Sequence, residues 1–376
     1  MLYYRIADVT LRSEIILPSF ETFITEAADA DISLALSEES VPQGVEVRSS
    51  YIVQHKIAEG WFYHAVFDDQ MGLAVSEDYK SLKLIGHMSY VDRTDKNRNY
   101  NKASLLEESL VRMALECLLV RRGYVSLHSA CIELDGEAYA FSGPSGTGKS
   151  TRASAWMKAF SNAELISGDR PLIDVRNLEV YGVPWDGKEQ CYRNVHHPLK
   201  AVFEVRRMET ETVYIREMSF EQKRKLLMRQ CFLPMWDTET AVIQMMNIAK
   251  LASSANILRI FCGPTPEDAV ALKTVFDNNQ YKKEEPDMKA KSGFVLRNIV
   301  GEQILMPVGD NIGKFKGTVL LNEVSAFVWN KLQNPMSRDD LLAAILNEFD
   351  VEESVAAADL NALLAKFEEY GVIDKD

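Results

Sequence analysis

Between Phe141 and Thr151 the chain reads FSGPSGTGKST, in which Gly143, four intervening residues (Pro144, Ser145, Gly146, Thr147), Gly148, Lys149 and Ser150 make up a complete Walker A pattern, followed directly by Thr151. A glycine-rich turn of this kind lets successive backbone N–H groups point at phosphate oxygens. The lysine neutralises their charge, and the Ser150 hydroxyl is placed to bind Mg²⁺. At average residue frequencies the four fixed positions recur by chance in a chain of this length at a rate of about one per cent. The flanks agree with the motif. Ala138 to Phe141 reads as a strand entering the loop, and Thr151 to Phe160 as a helix leaving it. The segment therefore predicts a P-loop on a strand–loop–helix unit.

The 376 residues exceed what one ordinary core needs and suit two or three domains. A net charge of −13, with no basic stripe to offset it, argues against nucleic acid or an anionic membrane as the main partner. Five widely spaced cysteines (Cys117, Cys131, Cys191, Cys231, Cys262) contain no C-x-x-C pair, so buried free thiols are expected rather than a disulfide framework or a zinc site. The N-terminus lacks the pattern of a signal peptide, and no apolar run is long enough to span a bilayer, which predicts a cytoplasmic protein.

Four segments are expected. Residues 1–102 alternate with period two, as in Val45 to Arg48 and Ile52 to Phe67 with a turn at Glu59-Gly60, and read as a mostly antiparallel β region. Residues 103–277 form the nucleotide-binding domain. It begins with a helix having capping-box spacing at Ser104 and Glu107 and ending at Gly123, and continues with two strands, Tyr124–Leu134 and Glu137–Ser142, joined by Asp135-Gly136. Residues 278–292, NNQYKKEEPDMKAKS, are nearly devoid of apolar side chains and read as a linker. Residues 293–376 form three short strands and three helices, with Ser337 as the expected N-cap of the second helix and Gly371 ending the third.

Chemistry-bearing candidates lie on both sides of the P-loop. Asp169, at the end of the apolar run Leu165-Ile166-Ser167-Gly168, stands where such folds place the carboxylate that orients Mg²⁺. His128, in Leu127-His128-Ser129, lies on the strand entering the hairpin; by its residue type alone, it is a structural hydrogen-bonding histidine. The stretch Val183-Pro-Trp-Asp186-Gly-Lys188-Glu189 is compatible both with a loop over the phosphates, with Lys188 as a second cation, and with an ordinary solvated turn.

LHSACIELDGEAYAFSGPSGTGKST followed by LISGDRPLI resembles the catalytic domain of the HPr serine kinase/phosphorylase family, and more closely its relatives among the lasso-peptide kinases. The resemblance covers roughly residues 104 to 275. It implies a mixed α/β core similar in fold to phosphoenolpyruvate carboxykinase, ATP and Mg²⁺ bound at Gly143 to Thr151, metal coordination near Asp169, and an active-site role for His128. That family carries two adjacent acidic residues after the strand, the first acting as base toward the substrate hydroxyl, whereas this chain reads Gly168-Asp169. Three options for the base stay open: Asp169 serves both roles, Asp186 or Glu189 substitutes, or transfer is lost and only nucleotide binding is kept.

The C-terminal segment, Gly317 to Trp329, then Ser337 to Phe349, then Leu360 to Ile373, resembles the PqqD-type peptide chaperone, a winged-helix-like β3α3 recognition element that takes up a leader peptide as an added strand. By this resemblance the groove involves Thr318, Val319, Leu320 and Leu321 of the third strand and Leu360, Leu363, Leu364 and Phe367 of the third helix. Together the two resemblances imply an ATP-dependent kinase that phosphorylates a Ser or Thr hydroxyl of a ribosomally synthesised (RiPP) precursor peptide. A kinase for a folded carrier protein, and a peptide-presenting adaptor without transfer activity, are the alternatives. Homo-oligomers, hexameric or smaller, are compatible with the family.

Overall fold

The computed structural model describes residues 1–376 apart from 27–28, 49–50, 87–101, 186–190, 207–212, 284–286, 314, 316 and 376. Asp186, Lys188 and Glu189, singled out above, lie outside the described residues. The architecture is mixed α/β, divided into two compact units.

The first unit spans Met1–Arg206, Val213–Ile260 and Pro264–Gln280. Its N-terminal part contains β1 (Leu2–Ile6), β2 (Val9–Ser13), β3 (Ile32–Ser37), β4 (Val45–Arg48), β5 (Ile52–Ile57), β6 (Gly60–Ala65), β7 (Asp68–Ser76) and β8 (Ser81–Ile85). These form one sheet in the order β1-β2-β3-β8-β7-β6-β5-β4. Two of its ladders, β2 with β3 and β3 with β8, are parallel, so the sheet is more mixed than its alternating sequence suggests. Ile57 pairs with Gly60, which puts the β5–β6 turn at Ala58-Glu59, one residue earlier than expected. Gly60 is required there because a Cβ on it would collide with the Val75 carbonyl of β7.

Helix α1 (Lys102–Arg121) ends before Gly123, whose φ of +87° lies in the left-handed region that glycine tolerates. It begins at Lys102, so Ser104 lies within the helix rather than at its cap. Its apolar face, including Leu110, Val111, Leu115 and Leu118, shares one core with Tyr4 and Tyr63 of the N-terminal strands and Phe20, Phe23 and Tyr79 of the segments between them. Residues 1–102 are therefore joined to the segment that follows by a common core within one compact unit. Each such aromatic or aliphatic side chain, fully withdrawn from water, contributes about 1.5–3 kcal/mol before ordering costs.

The rest of the unit comprises β9 (Tyr124–Ser126), β10 (Ser129–Leu134), β11 (Glu137–Ser142), α2 (Lys149–Ala159), β12 (Glu164–Ser167), β13 (Leu172–Asp174), β14 (Glu179–Tyr181), β15 (His196–Val205), β16 (Tyr214–Arg216), α3 (Phe220–Gln230), α4 (Thr238–Ser254), β17 (Ile257–Phe261) and α5 (Pro266–Asp277). The hairpin turn forms as expected: Asp135 and Gly136 both have positive φ, the conformation of a type I′ turn. The strand before it does not run through. It divides at Leu127-His128, so that β9 pairs with β13 while β10 pairs with β11 and β12. Strand β15 then runs parallel to β11 on one side and to β17 on the other.

The second unit spans Arg207–Thr212, Phe261–Gly263 and Tyr281–Asp376. Its elements are β18 (Tyr281–Lys282), β19 (Met288–Ala290), β20 (Phe294–Ile299), β21 (Glu302–Pro307), β22 (Val319–Leu321), α6 (Glu323–Lys331), α7 (Arg338–Glu348), α8 (Glu353–Glu369) and β23 (Ile373–Lys375). The expected linker is thus partly structured. Met288 is buried in the core of this unit and β19 pairs with β23, because the exposed lysines of MKAK alternate with inward-facing Met288 and Ala290. Asn322 and Ser337 cap α6 and α7 through side-chain oxygens, and Gly371, at φ +62°, lies just past the end of α8.

Candidate functional site

Strand β11 delivers the chain into the P-loop and α2 carries it away. Gly143, Gly146 and Gly148 have φ of +150°, +80° and +89°, so the loop uses backbone conformations that other residues adopt at a cost. Gly143 has a second constraint: a Cβ there would stand 2.9 Å from the carbonyl oxygen of Val205, at the end of β15. Gly148 is the N-cap of α2 in the left-handed conformation and provides no side-chain acceptor, leaving the first-turn N–H groups to another partner.

Lys149 folds back over this loop. Its ammonium donates to the carbonyls of Gly143 at 3.0 Å and Pro144 at 3.1 Å, while burial pulls its pKa below the usual lysine value and the negative charge of Asp169 acts in the opposite sense. The Thr147 hydroxyl donates to the Pro144 carbonyl at 2.9 Å, and the Arg152 guanidinium donates to the Thr147 carbonyl at 3.1 Å, so the loop is braced from within and from α2. Ser150 is exposed on the first turn of α2.

The division between β9 and β10 places His128 beside this loop. Its backbone N–H donates to the Gln230 carbonyl at 2.8 Å, the Ser142 hydroxyl donates to its carbonyl at 2.9 Å, and its Nε2 lies 3.4 Å from Oδ1 of Asp169. The Asp169 carbonyl in turn accepts from the Ser129 N–H at 2.7 Å. Burial lowers the pKa of His128 and the Lys149 charge lowers it further, with Asp169 opposing. At neutral pH the imidazole is therefore largely neutral, with ring nitrogens able to donate and accept. His128, Lys149 and Asp169, separated by up to 41 positions in sequence, converge at the mouth of the loop, together with Arg170.

Behind the loop stands a group that no sequence motif announces. Glu204 on β15 pairs in register with Ser142, the residue before Gly143. It is only 5% exposed, and its carboxylate accepts from Arg259 Nε of β17 at 2.6 Å and meets Arg206 Nη2 at 2.8 Å. The signals in the sequence are a charge near the C-terminal end of the apolar run of β15, which in a parallel sheet is the edge where ligands sit, and a lone arginine in the middle of the apolar β17.

A carboxylate and a hydroxyl, from Asp169 and Ser150, are the oxygen type that Mg²⁺ takes, and such sites are completed by substrate phosphates rather than by an all-protein cage. Among the described residues no cluster of three or more metal-ligating side chains occurs.

In the C-terminal unit the sheet order is β20-β21-β22, which makes β22 an edge strand. Along it Leu321 is buried whereas Leu320 is 64% exposed. On α8 the expected groove residues are mostly packed inward. Leu360, Leu364 and Phe367 lie within the core, Phe367 edge-on against Trp329 at 5.8 Å, so of the four expected groove residues on this helix only Leu363 is partly exposed. Helical periodicity marks an apolar face without telling which residues on it are already covered.

Residues 302–373 match the family model described as Coenzyme PQQ synthesis protein D (PqqD), and the C-terminal unit is accordingly a PqqD-like domain. No curated protein matches the chain significantly. Among solved structures, TbiB1 in complex with the TbiA(beta) leader peptide is 19% identical, with 23% of this chain and 94% of that chain covered and a TM-score of 0.20. Lasso peptide synthetase B1 complexed with the leader peptide is 20% identical, with 23% and 96% covered and a TM-score of 0.20. Among the described residues no helix is long and apolar enough to cross a membrane.

Proposed function

We propose that the chain is an ATP-dependent kinase that phosphorylates a Ser or Thr hydroxyl of a ribosomally synthesised precursor peptide held by its PqqD-like domain. The observation that carries the reading is the convergence of Lys149, His128 and Asp169 on a glycine loop whose helix N-terminus has no side-chain cap. Its form favours the core of the HPr-kinase type, in which a strand hairpin feeds the P-loop.

In this scheme the loop amides and Lys149 hold the β- and γ-phosphates, and Ser150 and Asp169 are the residues that would hold Mg²⁺. When bound, Mg²⁺ would neutralise charge on the phosphate oxygens. The substrate oxygen attacks the γ-phosphorus, the bond to the β,γ-bridging oxygen breaks, and ADP carries away that electron pair. The hydroxyl proton passes to the His128–Asp169 pair. A neutral imidazole 3.4 Å from a carboxylate can accept a proton and be stabilised as it charges, which answers the absence of an acidic residue at Gly168. Transfer through a loose transition state gains most from positioning and charge neutralisation, so this weaker base suffices.

Docking of a leader on edge strand β22 would make delivery of the hydroxyl effectively intramolecular, so that few contacts with the modified segment are needed. The match to the PqqD family supports this half of the reading. Gly168 favours one rival, a nucleotide-binding adaptor that presents peptides without transfer. The two are separated by incubating the protein with γ-labelled ATP, Mg²⁺ and the short precursor peptides encoded beside its gene. Label in the peptide, lost on leader removal and reduced about 10²–10³-fold by Lys149→Ala, is expected. Tight ATP binding with no label in any peptide would establish the adaptor instead.

A further inference from the structure

A second pair of ionisable side chains lies far along the sequence from the P-loop, on the N-terminal sheet. His55 on β5 pairs with Phe62 on β6, and Val53 pairs with His64, so His55 and His64 are diagonal neighbours on one face of the sheet. Their Nε2 atoms are 3.0 Å apart. Both line an open cleft of about 700 Å³ that also contains Glu46, Asp69, Phe62 and Phe67.

The tautomers are set by chemistry. Nδ1 of His64 is 2.8 Å from the backbone carbonyl of Ala65, and a carbonyl can only accept, so Nδ1 carries the proton. Nε2 of His64 is therefore a lone-pair nitrogen, and it accepts from Nε2–H of His55. An imidazole whose far N–H is held by a backbone carbonyl while its near nitrogen faces a cleft is oriented as a metal ligand is. The spacing agrees. With metal–nitrogen bonds of about 2.05 Å, two nitrogens of one ion stand about 3.3 Å apart in tetrahedral geometry and about 2.9 Å apart at a right angle, and the observed separation falls between.

The rings are also fixed in place. His64 stacks on His55 at 5.1 Å and on Phe62 at 5.9 Å, and Gly72, opposite His64 on β7, leaves space for the Phe62 ring that any side chain would occupy. Glu46, on edge strand β4, pairs directly with His55 and so shares its face. No third ligand completes the cluster as it stands among the described residues. The remaining positions fall to water, or to Glu46 after a change of rotamer.

We propose that His55 and His64 form a binding site for a divalent transition-metal ion of the zinc class, separate from any Mg²⁺ at the P-loop. On binding, the ion takes the place of the proton between the two Nε2 atoms. The His55 proton moves from Nε2 to Nδ1, so both rings coordinate as neutral imidazoles with no net proton released. Mg²⁺, which takes oxygen ligands, is not accommodated by this pair.

The test is a titration of the metal-free full-length chain, labelled with ¹⁵N in its histidine rings, with Zn²⁺ and separately with Mg²⁺. Up to one equivalent of Zn²⁺ should move the Nε2 resonances of His55 and His64 before those of the neighbouring pair His196 and His197, and millimolar Mg²⁺ should leave them in place. Calorimetry should show one tight Zn²⁺ equivalent, weakened at least tenfold by His55→Gln, a change on a partly exposed ring that the fold should tolerate, and likewise by His64→Gln. Unmoved His55 and His64 resonances at one equivalent, or unchanged affinity in the folded His55→Gln variant, would reduce the pair to a hydrogen bond and overturn the site.

Discussion

Glu204→Ala tests whether the buried ion cluster behind the glycine loop holds together the site proposed to bind nucleotide. The carboxylate is 5% exposed and Arg259 is 3% exposed, with 2.6 Å between the bonded atoms, so removing the acid deprives an interior guanidinium of its charged partner. Breaking a buried pair from one side costs about 3–5 kcal/mol, because the remaining charge keeps its desolvation penalty. For a unit of this size each kcal/mol lowers the melting temperature by about 2–4 °C, giving a loss of about 6–20 °C. The effect should reach the ligand too. Glu204 is in register with Ser142 and the next residue, Val205, abuts Gly143, so affinity for a fluorescent ATP analogue should fall together with stability. Glu204→Gln, which keeps the volume and removes the charge, should retain at least half of the thermal loss. Calorimetric scans and nucleotide titrations on the three proteins decide the matter. A melting temperature for Glu204→Ala within about 2 °C of wild type, the least that a single kcal/mol would give, would show that the charges are solvated and that the cluster does not brace the loop.

Other outcomes rest on the same geometry. In histidine NMR titrations His128 should titrate below the ordinary imidazole value, Lys149→Ala should raise its pKa and Asp169→Asn should lower it; the opposite order would mean that the three groups do not meet. Because its folded pKa is depressed, the contribution of His128 to stability is complete above the unfolded value of about 6.5 and is lost as pH falls through the folded value. In the C-terminal unit Leu320→Asp, at an exposed position, should weaken leader binding with little change in unfolding, whereas Leu360→Asp should unfold the unit; equal thermal losses would refute the assignment of surface and core. A chain ended after Gln280 should still bind ATP but lose its preference for leader-bearing peptides, whereas a C-terminal fragment should need Met288 onward, since β19 pairs with β23; a stable fragment starting at Ser292 would contradict that pairing.

The features legible in the sequence are those that depend on local spacing. The glycine loop between strand and helix, the Asp135-Gly136 turn, the cap at Ser337 and the β3α3 order are all marked by short-range patterns. Features that depend on which strands become neighbours are not legible in this way. His128 reads as an ordinary strand residue until the chain is seen to divide at Leu127, sending β9 to one neighbour and β10 to others. Glu204 and Arg259 are separated by more than fifty positions and meet only because β15 and β17 lie side by side. The polar look of residues 278–292 conceals β19, since two inward-facing residues in a charged stretch are too few to register as a strand. On α8 the periodicity is right, but it does not tell that Leu360, Leu364 and Phe367 are already packed in the core.

Like α8, whose N-cap Glu352 makes no side-chain cap bond, α2 begins without one, and in α2 the uncapped end faces the glycine loop. Helices α3 to α7 begin with Ser219, Asp237, Thr265, Asn322 and Ser337, each of which accepts a hydrogen bond from the helix's own first turn. Helix α2 begins with Gly148 and has no such acceptor. A side-chain cap is worth about 1 kcal/mol, and here that stabilisation is left to whatever anion occupies the loop. If the proposed nucleotide binds there, the thermal stability of the first unit becomes a function of concentration: a ligand at about one hundred times its dissociation constant adds about 2.7 kcal/mol, and dilution withdraws it. The nucleotide would then be a structural component of the unit as well as its substrate, and a depleted pool would leave the protein easier to unfold and to degrade.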